Sequence, residues 1–214
     1  MGLPQQPVGD GELRFVQHSG PRTRVLDAAL DLFAEHGVSG TSLQMIADGV
    51  GITKAAVYHQ FRTKDHIVLA ATERELGRLV PALEEAEGHG DGSQARDAVL
   101  VRVIDMAVCD RRLVRTLQFD PVVVRLLAEH EPFQRFMARL YRVLLGDAGE
   151  DARIAAAMLS GAISSAVMHP LVADVDDETL RTKLSDVSRR LIGLPQKRCP
   201  SDPRTIRHYD DARR

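Results

Sequence analysis

Apolar residues recur at helical spacing along most of this chain, and no segment shows the alternation typical of a strand. The first repeat covers residues 22–36, and Gly37 ends it. Two short repeats over 43–50 and 53–61 precede a long one over 65–87. Further helical runs cover residues 94–109, 111–118, 121–129, 132–145, 150–168 and 177–192. The pattern predicts an all-α protein.

Both ends of the chain lack this periodicity. Residues 1–20 contain Pro, Gly and Gln, and the last residues, 194–214, carry prolines and mixed charge. We therefore expect a flexible arm before the first helix and a flexible tail after the last one.

The stretch SLQMIADGVGITKAAVYHQF, residues 42–61, ends one short helix at Gly51 and begins another at Thr53. Thr41 or Ser42 can cap the first helix, and Thr53 can cap the second. Gly51 can adopt the positive φ that a tight turn between them needs. Two short helices at a fixed angle suit a helix-turn-helix, whose second helix enters the major groove of DNA.

The second helix of this pair has two different faces. Val57 and Phe61 lie one turn apart and are predicted to be buried, with Ala47 at the helix crossing. The opposite face offers an ammonium, a methyl group, a phenol and an imidazole, from Lys54, Ala55, Tyr58 and His59. These groups can hydrogen-bond to phosphates and base edges and allow close approach to DNA.

The residues TSLQMIADGVGITKAAVYHQFRTKDHI, with the helix before them, resemble the DNA-binding signature of TetR family transcriptional regulators. The resemblance spans residues 22–67 and rests on Thr41, Ile46-Ala47, Gly51, Thr53, Tyr58, Phe61 and Lys64. It implies phosphate contacts at Thr41, Thr53, Tyr58 and Lys64, and contacts to bases or nearby backbone at Lys54, Ala55 and His59. Ser42, beside Thr41, completes the predicted DNA-binding set. Ala55 stands where glycine is common, and Gln60 where an aromatic residue or histidine is common.

The resemblance also implies a division into domains. Residues 21–66 are expected to form the helix-turn-helix domain, and residues 67–193 a larger helical domain that binds a small-molecule effector and forms a homodimer through its last two helices. The face of Ala156, Ser160 and Ser164 in residues 150–168 is our candidate for that seam, although helical periodicity fits an internal core equally well. Two such subunits would bind a palindromic DNA operator, from which the effector would release a repressor.

Candidate effector contacts come from apolar helix faces in the second domain. Such faces usually form core, so the selection rests on pockets being lined mostly by ordinary apolar side chains. The candidates are Met106, Cys109, Phe119, Met137, Tyr141, Met158 and Met168.

Composition narrows the functional class. The formal net charge is −2, so any anion-binding surface must be local. The apolar run 154–168 is shorter than a membrane span of about 20 residues, and no signal peptide is visible, so we expect a cytoplasmic protein. The two distant cysteines give no metal-binding spacing, and no cofactor motif is present.

Two motifs come close to those of hydrolases. The residues GVSGT lack the last glycine of G-x-S-x-G and follow no predicted strand, and HEPFQ has Gln134 where a zinc-binding motif needs histidine. We therefore predict that the chain is not an enzyme. The alternative is a helical dimeric scaffold that no longer binds DNA.

Overall fold

The computed structural model describes residues 20–88, 92–146 and 149–195. Within these ranges the chain forms α-helices and one short 3₁₀ turn but no strand, which confirms the predicted all-α class. The helices are α1 (Gly20–Gly40), α2 (Leu43–Val50), α3 (Lys54–Gln60), α4 (Lys64–Gly77), α5 (Val80–Gly88), α6 (Ser93–Cys109), α7 (Arg111–Phe119), α8 (Pro121–Glu129), α9 (Glu131–Leu145), α10 (Glu150–Met168) and α11 (Asp177–Leu191). The predicted arm and tail lie outside the described residues, except for Gly20, Leu194 and Pro195.

Short-range capping fixes the helices of the N-terminal region. Ser42, and not Thr41, caps α2, because its side chain accepts a hydrogen bond from the amide of Met45. Gly51 ends α2 in the left-handed conformation, with φ of 73°. Thr53 caps α3 by accepting from the amide of Ala56. The turn between α2 and α3 is therefore held by local hydrogen bonds at both ends.

The long helix expected over 65–87 is divided into α4 and α5. The first ends at Gly77, with Arg78 as its C-cap, and the second begins at Val80. Pro81 has no amide hydrogen to donate to the carbonyl four residues earlier, so an unbroken helix would lose a hydrogen bond here. The prediction of one continuous helix was wrong at this point.

The buried apolar residues form two clusters. The head core gathers α1 to α4 with Leu113, Val123 and Leu127 from α7 and α8. The body core gathers residues of α4 to α7 and α9 to α11. Among the partly buried residues, Met106, Leu117 and Phe133 pack against both cores. The two clusters are therefore in direct contact through α6, α7 and α9.

Polar contacts also join α1 to α7 and α8. The side chain of Asp120 caps α8 by accepting from the amides of Val122 and Val123. Its other carboxylate oxygen accepts a hydrogen bond of 2.7 Å from the amide of Val38, at the end of α1. Arg112 on α7 also forms an ion pair with Asp31 on α1. In the part of the chain described, no helix has the length and apolar character needed to cross a membrane.

Candidate nucleic-acid interface and effector cavity

The inner face of α3 fixes the orientation of this helix. Val57 and Phe61 are 0% and 1% exposed, and Ala47 across from them on α2 is 0% exposed. The guanidinium of Arg22 on α1 lies 4.4 Å from the centroid of the Phe61 ring. These buried contacts hold the opposite face of α3 toward solvent.

The outer face of α3 carries most of the predicted DNA-binding residues. Lys54, Ala55 and His59 are exposed, and Tyr58 is 50% exposed. The two helix caps, Ser42 and Thr53, are exposed beside this face. The arrangement brings one ammonium and several hydrogen-bonding groups together on a surface that can lie in a DNA groove.

Thr41 and Lys64 are placed differently. Thr41 is 1% exposed, and its hydroxyl donates to the carbonyl of Gly37 at 2.8 Å and lies 3.2 Å from the carbonyl of Leu32. Lys64 is half-buried, and its ammonium donates to the carbonyls of Val38 and Thr41 at 2.7 and 2.9 Å. An ammonium has three donors, so Lys64 keeps one for a phosphate, whereas the Thr41 side chain faces inward. Both residues brace the turn that leads into α2.

The sequence reasoning gave no role to Arg62. This residue is exposed just after α3, and its guanidinium lies 5.6 Å from the centroid of the Tyr58 ring. It adds a second cation beside Lys54 on the outward surface. The sequence signal for this position was a basic residue directly after the Y-x-x-F spacing of Tyr58 and Phe61.

A cavity of about 120 Å³ lies among α4, α6, α7, α9 and α10. Met106, Met137 and Tyr141 line it, as the sequence reasoning expected of effector contacts. Most of the wall is instead leucine, isoleucine and valine. The full lining is Leu76, Leu79, Val103, Met106, Ala107, Leu113, Val114, Leu117, Gln118, Phe133, Met137, Leu140, Tyr141, Leu144, Leu159, Ser160, Ile163 and Ser164.

The other four effector candidates do not line this cavity. Phe119 and Met158 are 52% and 56% exposed. Cys109 is exposed at the end of α6, and Met168 packs on the body core outside the cavity. Helical spacing assigns a residue to an apolar face but does not show which neighbour that face meets. We therefore remove these four from the proposed effector site.

The predicted dimer seam on α10 also needs correction. Ala156 and Ser164 are buried, and both Ser160 and Ser164 line the cavity. This face of α10 is therefore turned into its own subunit, which was the alternative that the periodicity left open. The exposed face of the same helix carries Ile154 and Met158 instead.

Comparison with known proteins identifies the N-terminal region. Residues 25–71 match the family model described as "Bacterial regulatory proteins, tetR family". The chain is 35% identical over 95 residues to the HTH-type transcriptional regulator AcrR of Shigella flexneri, covering 42% of this chain and 43% of that protein. It is 37% identical over 83 residues to the HTH-type transcriptional repressor KstR2 of Rhodococcus jostii, covering 39% and 41%. The chain thus aligns with about two fifths of the length of these relatives.

Similarity to solved structures extends over most of the chain. The fatty acid degradation regulator FadR from Bacillus halodurans superimposes with a TM-score of 0.65 and 19% identity, covering 83% of this chain and 97% of that one. FadR from Bacillus subtilis, solved in complex with stearoyl-CoA, gives 0.63 and 19%, covering 81% and 99%. At this identity the likeness shows a shared fold alone.

Proposed function

This chain belongs to the TetR family of transcriptional regulators, and on that premise we propose that it is a homodimeric repressor released from a palindromic operator by a small-molecule effector. The observation that carries the proposal is the outward face of α3, which is held by buried Val57 and Phe61 and offers Lys54, Tyr58 and His59 to solvent. A helix braced in this way can enter a major groove without rearrangement.

The groups on this surface divide by what they can contact. The hydroxyls of Thr53 and Tyr58 and the ammonium of Lys54 are suited to phosphates, which fix the position of the protein on the duplex. Ala55 permits close approach, and the imidazole of His59 can reach a base edge or the nearby backbone. The guanidinium of Arg62 extends the phosphate-binding surface beyond the end of α3.

Dimerisation through α10 and α11 is the second part of the proposal. These helices pack together, and each exposes apolar side chains to solvent. Ile154 and Met158 on α10 are 59% and 56% exposed, and Val187 and Leu191 on α11 are 53% and 39% exposed. A second copy of the chain would bury both stripes in a two-fold interface and present two α3 helices to half-sites roughly 34 Å apart.

The position of the cavity supports a direct influence of an effector on the proposed DNA-binding domain. Leu113, a member of the head core, forms part of the cavity wall. Met106, Leu117 and Phe133 line the cavity and pack against the head core. An effector that displaces these side chains changes the packing beneath α1 and α4. An effector lowers operator affinity only if it binds the displaced packing more tightly than the packing that binds DNA.

Asp120 provides a polar connection along the same route. It lies two residues after Gln118, which lines the cavity, and binds the amide of Val38 in the turn before α2. Gly37 has φ of 71°, and a Cβ there would lie 3.2 Å from the Asp120 carboxylate. Glycine therefore suits both the backbone conformation and the close approach of Asp120. Movement at the end of α7 would reach the start of α2 through this contact.

The proposal is tested by titrating the full chain against DNA from upstream of its own gene, over a series of salt concentrations. We expect Lys54→Ala to weaken binding and to reduce the slope of log K against log salt by about 0.9, the value for one phosphate contact. Arg102→Ala on α6 is the control for loss of a cation, because Arg102 is exposed and lies outside α3 and outside the proposed dimer helices α10 and α11. Equal slopes for the two variants would contradict the proposed surface, and no specific binding by the wild type would favour the scaffold alternative.

A further inference from the structure

We infer that the effector is a small, uncharged, mostly apolar molecule about the size of one aromatic ring, with a single hydroxyl or carbonyl that hydrogen-bonds to Tyr141 and Ser160. This inference rests on the proposed function, because it names the chemical class that the cavity accepts. It is carried by the size of the cavity, the absence of charge on its described lining, and a polar group at one end.

The first observation is size. The cavity measures about 120 Å³. For comparison, an engineered apolar cavity of about 150 Å³ in another protein binds benzene. A single six-membered ring is therefore the scale of ligand that fits without opening the helices, and a long acyl chain would require them to separate.

The second observation is the chemistry of the wall. Among the described residues that line the cavity, none carries a charge, and only Gln118, Tyr141, Ser160 and Ser164 have polar side chains. A carboxylate or phosphate entering this space would lose its hydration without gaining a cation. The wall therefore selects against anionic ligands and in favour of neutral, apolar ones.

The third observation is the position of the polar groups. The side-chain amide of Gln118 donates to the hydroxyl of Ser160 at 3.3 Å, and Tyr141 lines the same cavity. Gln118 is exposed, whereas Leu140 and Leu159 are buried in the wall. Gln118 and the Ser160 hydroxyl bonded to it thus mark the solvent side of the cavity, whereas Ser164 is buried with the apolar side chains.

The phenol of Tyr141 keeps its proton at neutral pH. Burial raises the pKa of Tyr141 above its ordinary value, and the Ser160 side chain offsets this only in part. A protonated phenol can both donate and accept a hydrogen bond, as can the serine hydroxyl. A ligand hydroxyl or carbonyl can therefore join the group from inside the cavity.

The orientation of the bound molecule follows from these positions. Its ring would lie against Leu113, Met106 and Phe133, which contact the head core, and its polar group would face Tyr141. The same molecule would then fill the space that adjoins the DNA-binding domain. This orientation connects ligand chemistry with release from DNA.

The test uses phenol, toluene and benzoate as probes on the full chain, with binding measured by calorimetry and by saturation-transfer NMR without DNA. We expect phenol to bind, toluene to bind several-fold more weakly, and benzoate to bind at least about 100-fold more weakly than phenol. In Tyr141→Phe, phenol should lose about fivefold in affinity, the value of one hydrogen bond, while toluene is unchanged.

Two matched variants locate the site. Val103→Phe places a ring in the cavity and should abolish phenol binding, whereas Val124→Phe makes the same change on the exposed side of α8 and should leave it intact. Thermal unfolding of both variants checks that each is folded. Equal phenol affinity in the two variants would overturn the assignment to this cavity.

The outcomes separate the inference from the proposed function. If the wild type binds its upstream DNA but benzoate binds more tightly than phenol, the inferred ligand class is wrong, and the proposed DNA-binding function still stands. Failure of all the neutral probes to bind overturns the inference in the same way. Failure to bind DNA contradicts the proposed function, and the probe measurements, made without DNA, still report the chemistry of the cavity.

Discussion

The two cores of this molecule differ in how completely they are filled. In the head core, Ile46, Ala47 and Val57 meet with no exposure, so α2 and α3 hold a fixed angle. The body core surrounds a cavity of about 120 Å³. A region that acts through its surface benefits from rigid packing, whereas one that acts through its interior retains space for a ligand.

The contact between the cores connects the cavity in the body core with the packing of the head core. Met106, Leu117 and Phe133 belong to the wall of the cavity and also pack on the head core. A ligand that fills the cavity would gain packing contacts and stabilise the chain by RT ln(1 + [L]/Kd). The four predictions below alter one region at a time and compare it with the other.

The largest effect is expected at the exposed stripe of α10. Met158→Glu places a charge in the proposed interface between subunits, where pairing would bury it without a partner. We expect the variant to sediment as a monomer and to bind the operator at least about 100-fold more weakly, because each helix-turn-helix then binds DNA alone. Analytical ultracentrifugation and operator titration measure the two effects.

Val124→Glu is the matched control for that substitution, since Val124 is 48% exposed on α8 and lies outside α10 and α11. It should leave the dimer and operator affinity unchanged. Ser160→Arg, in contrast, should disturb the cavity and not the dimer, because Ser160 lines the cavity. A dimer that persists in Met158→Glu would show that the seam lies elsewhere.

The second prediction separates the inside of the helix-turn-helix from its outside. Ala47→Leu overfills the crossing of α2 and α3 and should cost about 1–3 kcal/mol of stability. Ala55→Leu adds the same atoms to the exposed face of α3, where they should leave stability within about 0.5 kcal/mol but obstruct the groove. Thermal unfolding and operator titration distinguish the two. An unchanged melting temperature in Ala47→Leu would mean that the crossing is not tightly packed.

These two regions were not equally predictable from the sequence. Caps and turn residues act on neighbours a few positions away, so Thr53 and Gly51 could be read from their spacing. The cavity is assembled from five helices, and its wall is mostly ordinary leucine, isoleucine and valine. Residue type selected both Met137, which lines the cavity, and Met158, which is exposed, because periodicity shows a face and not its neighbour.

The same limitation explains the inward position of Lys64. Its ammonium donates to the carbonyls of Val38 and Thr41, which lie 26 and 23 residues away in the sequence. The contact between Asp120 and Val38 spans 82 residues. Partners at such distances depend on the tertiary fold, which local patterns do not determine.

The third prediction concerns that contact between α1 and the start of α8. In Asp120→Asn the remaining carbonyl oxygen can still cap α8, but the amide nitrogen cannot accept from Val38. The buried amide of Val38 would then be unpaired, at a cost of about 1–3 kcal/mol. We expect faster hydrogen exchange at Val38 and weaker operator binding. Asp176→Asn, at the exposed cap of α11, is the control and should change neither. Equal exchange at Val38 in both variants would remove Asp120 from the proposed route.

The smallest effect is expected at the two tyrosines, one in each region. Tyr58→Phe removes a hydroxyl from the outward face of α3 and keeps the ring that faces Arg62. One lost hydrogen bond to a phosphate should weaken binding by about fivefold, equally for all operator sequences, because phosphates carry no sequence information. Tyr141→Phe removes the corresponding hydroxyl from the cavity wall and should leave operator affinity unchanged in the absence of an effector. Titration of both variants against the operator and against a scrambled duplex tests this. If Tyr58→Phe weakened only the specific operator, Tyr58 would contact a base, and the division of α3 into phosphate and base contacts would have to be redrawn.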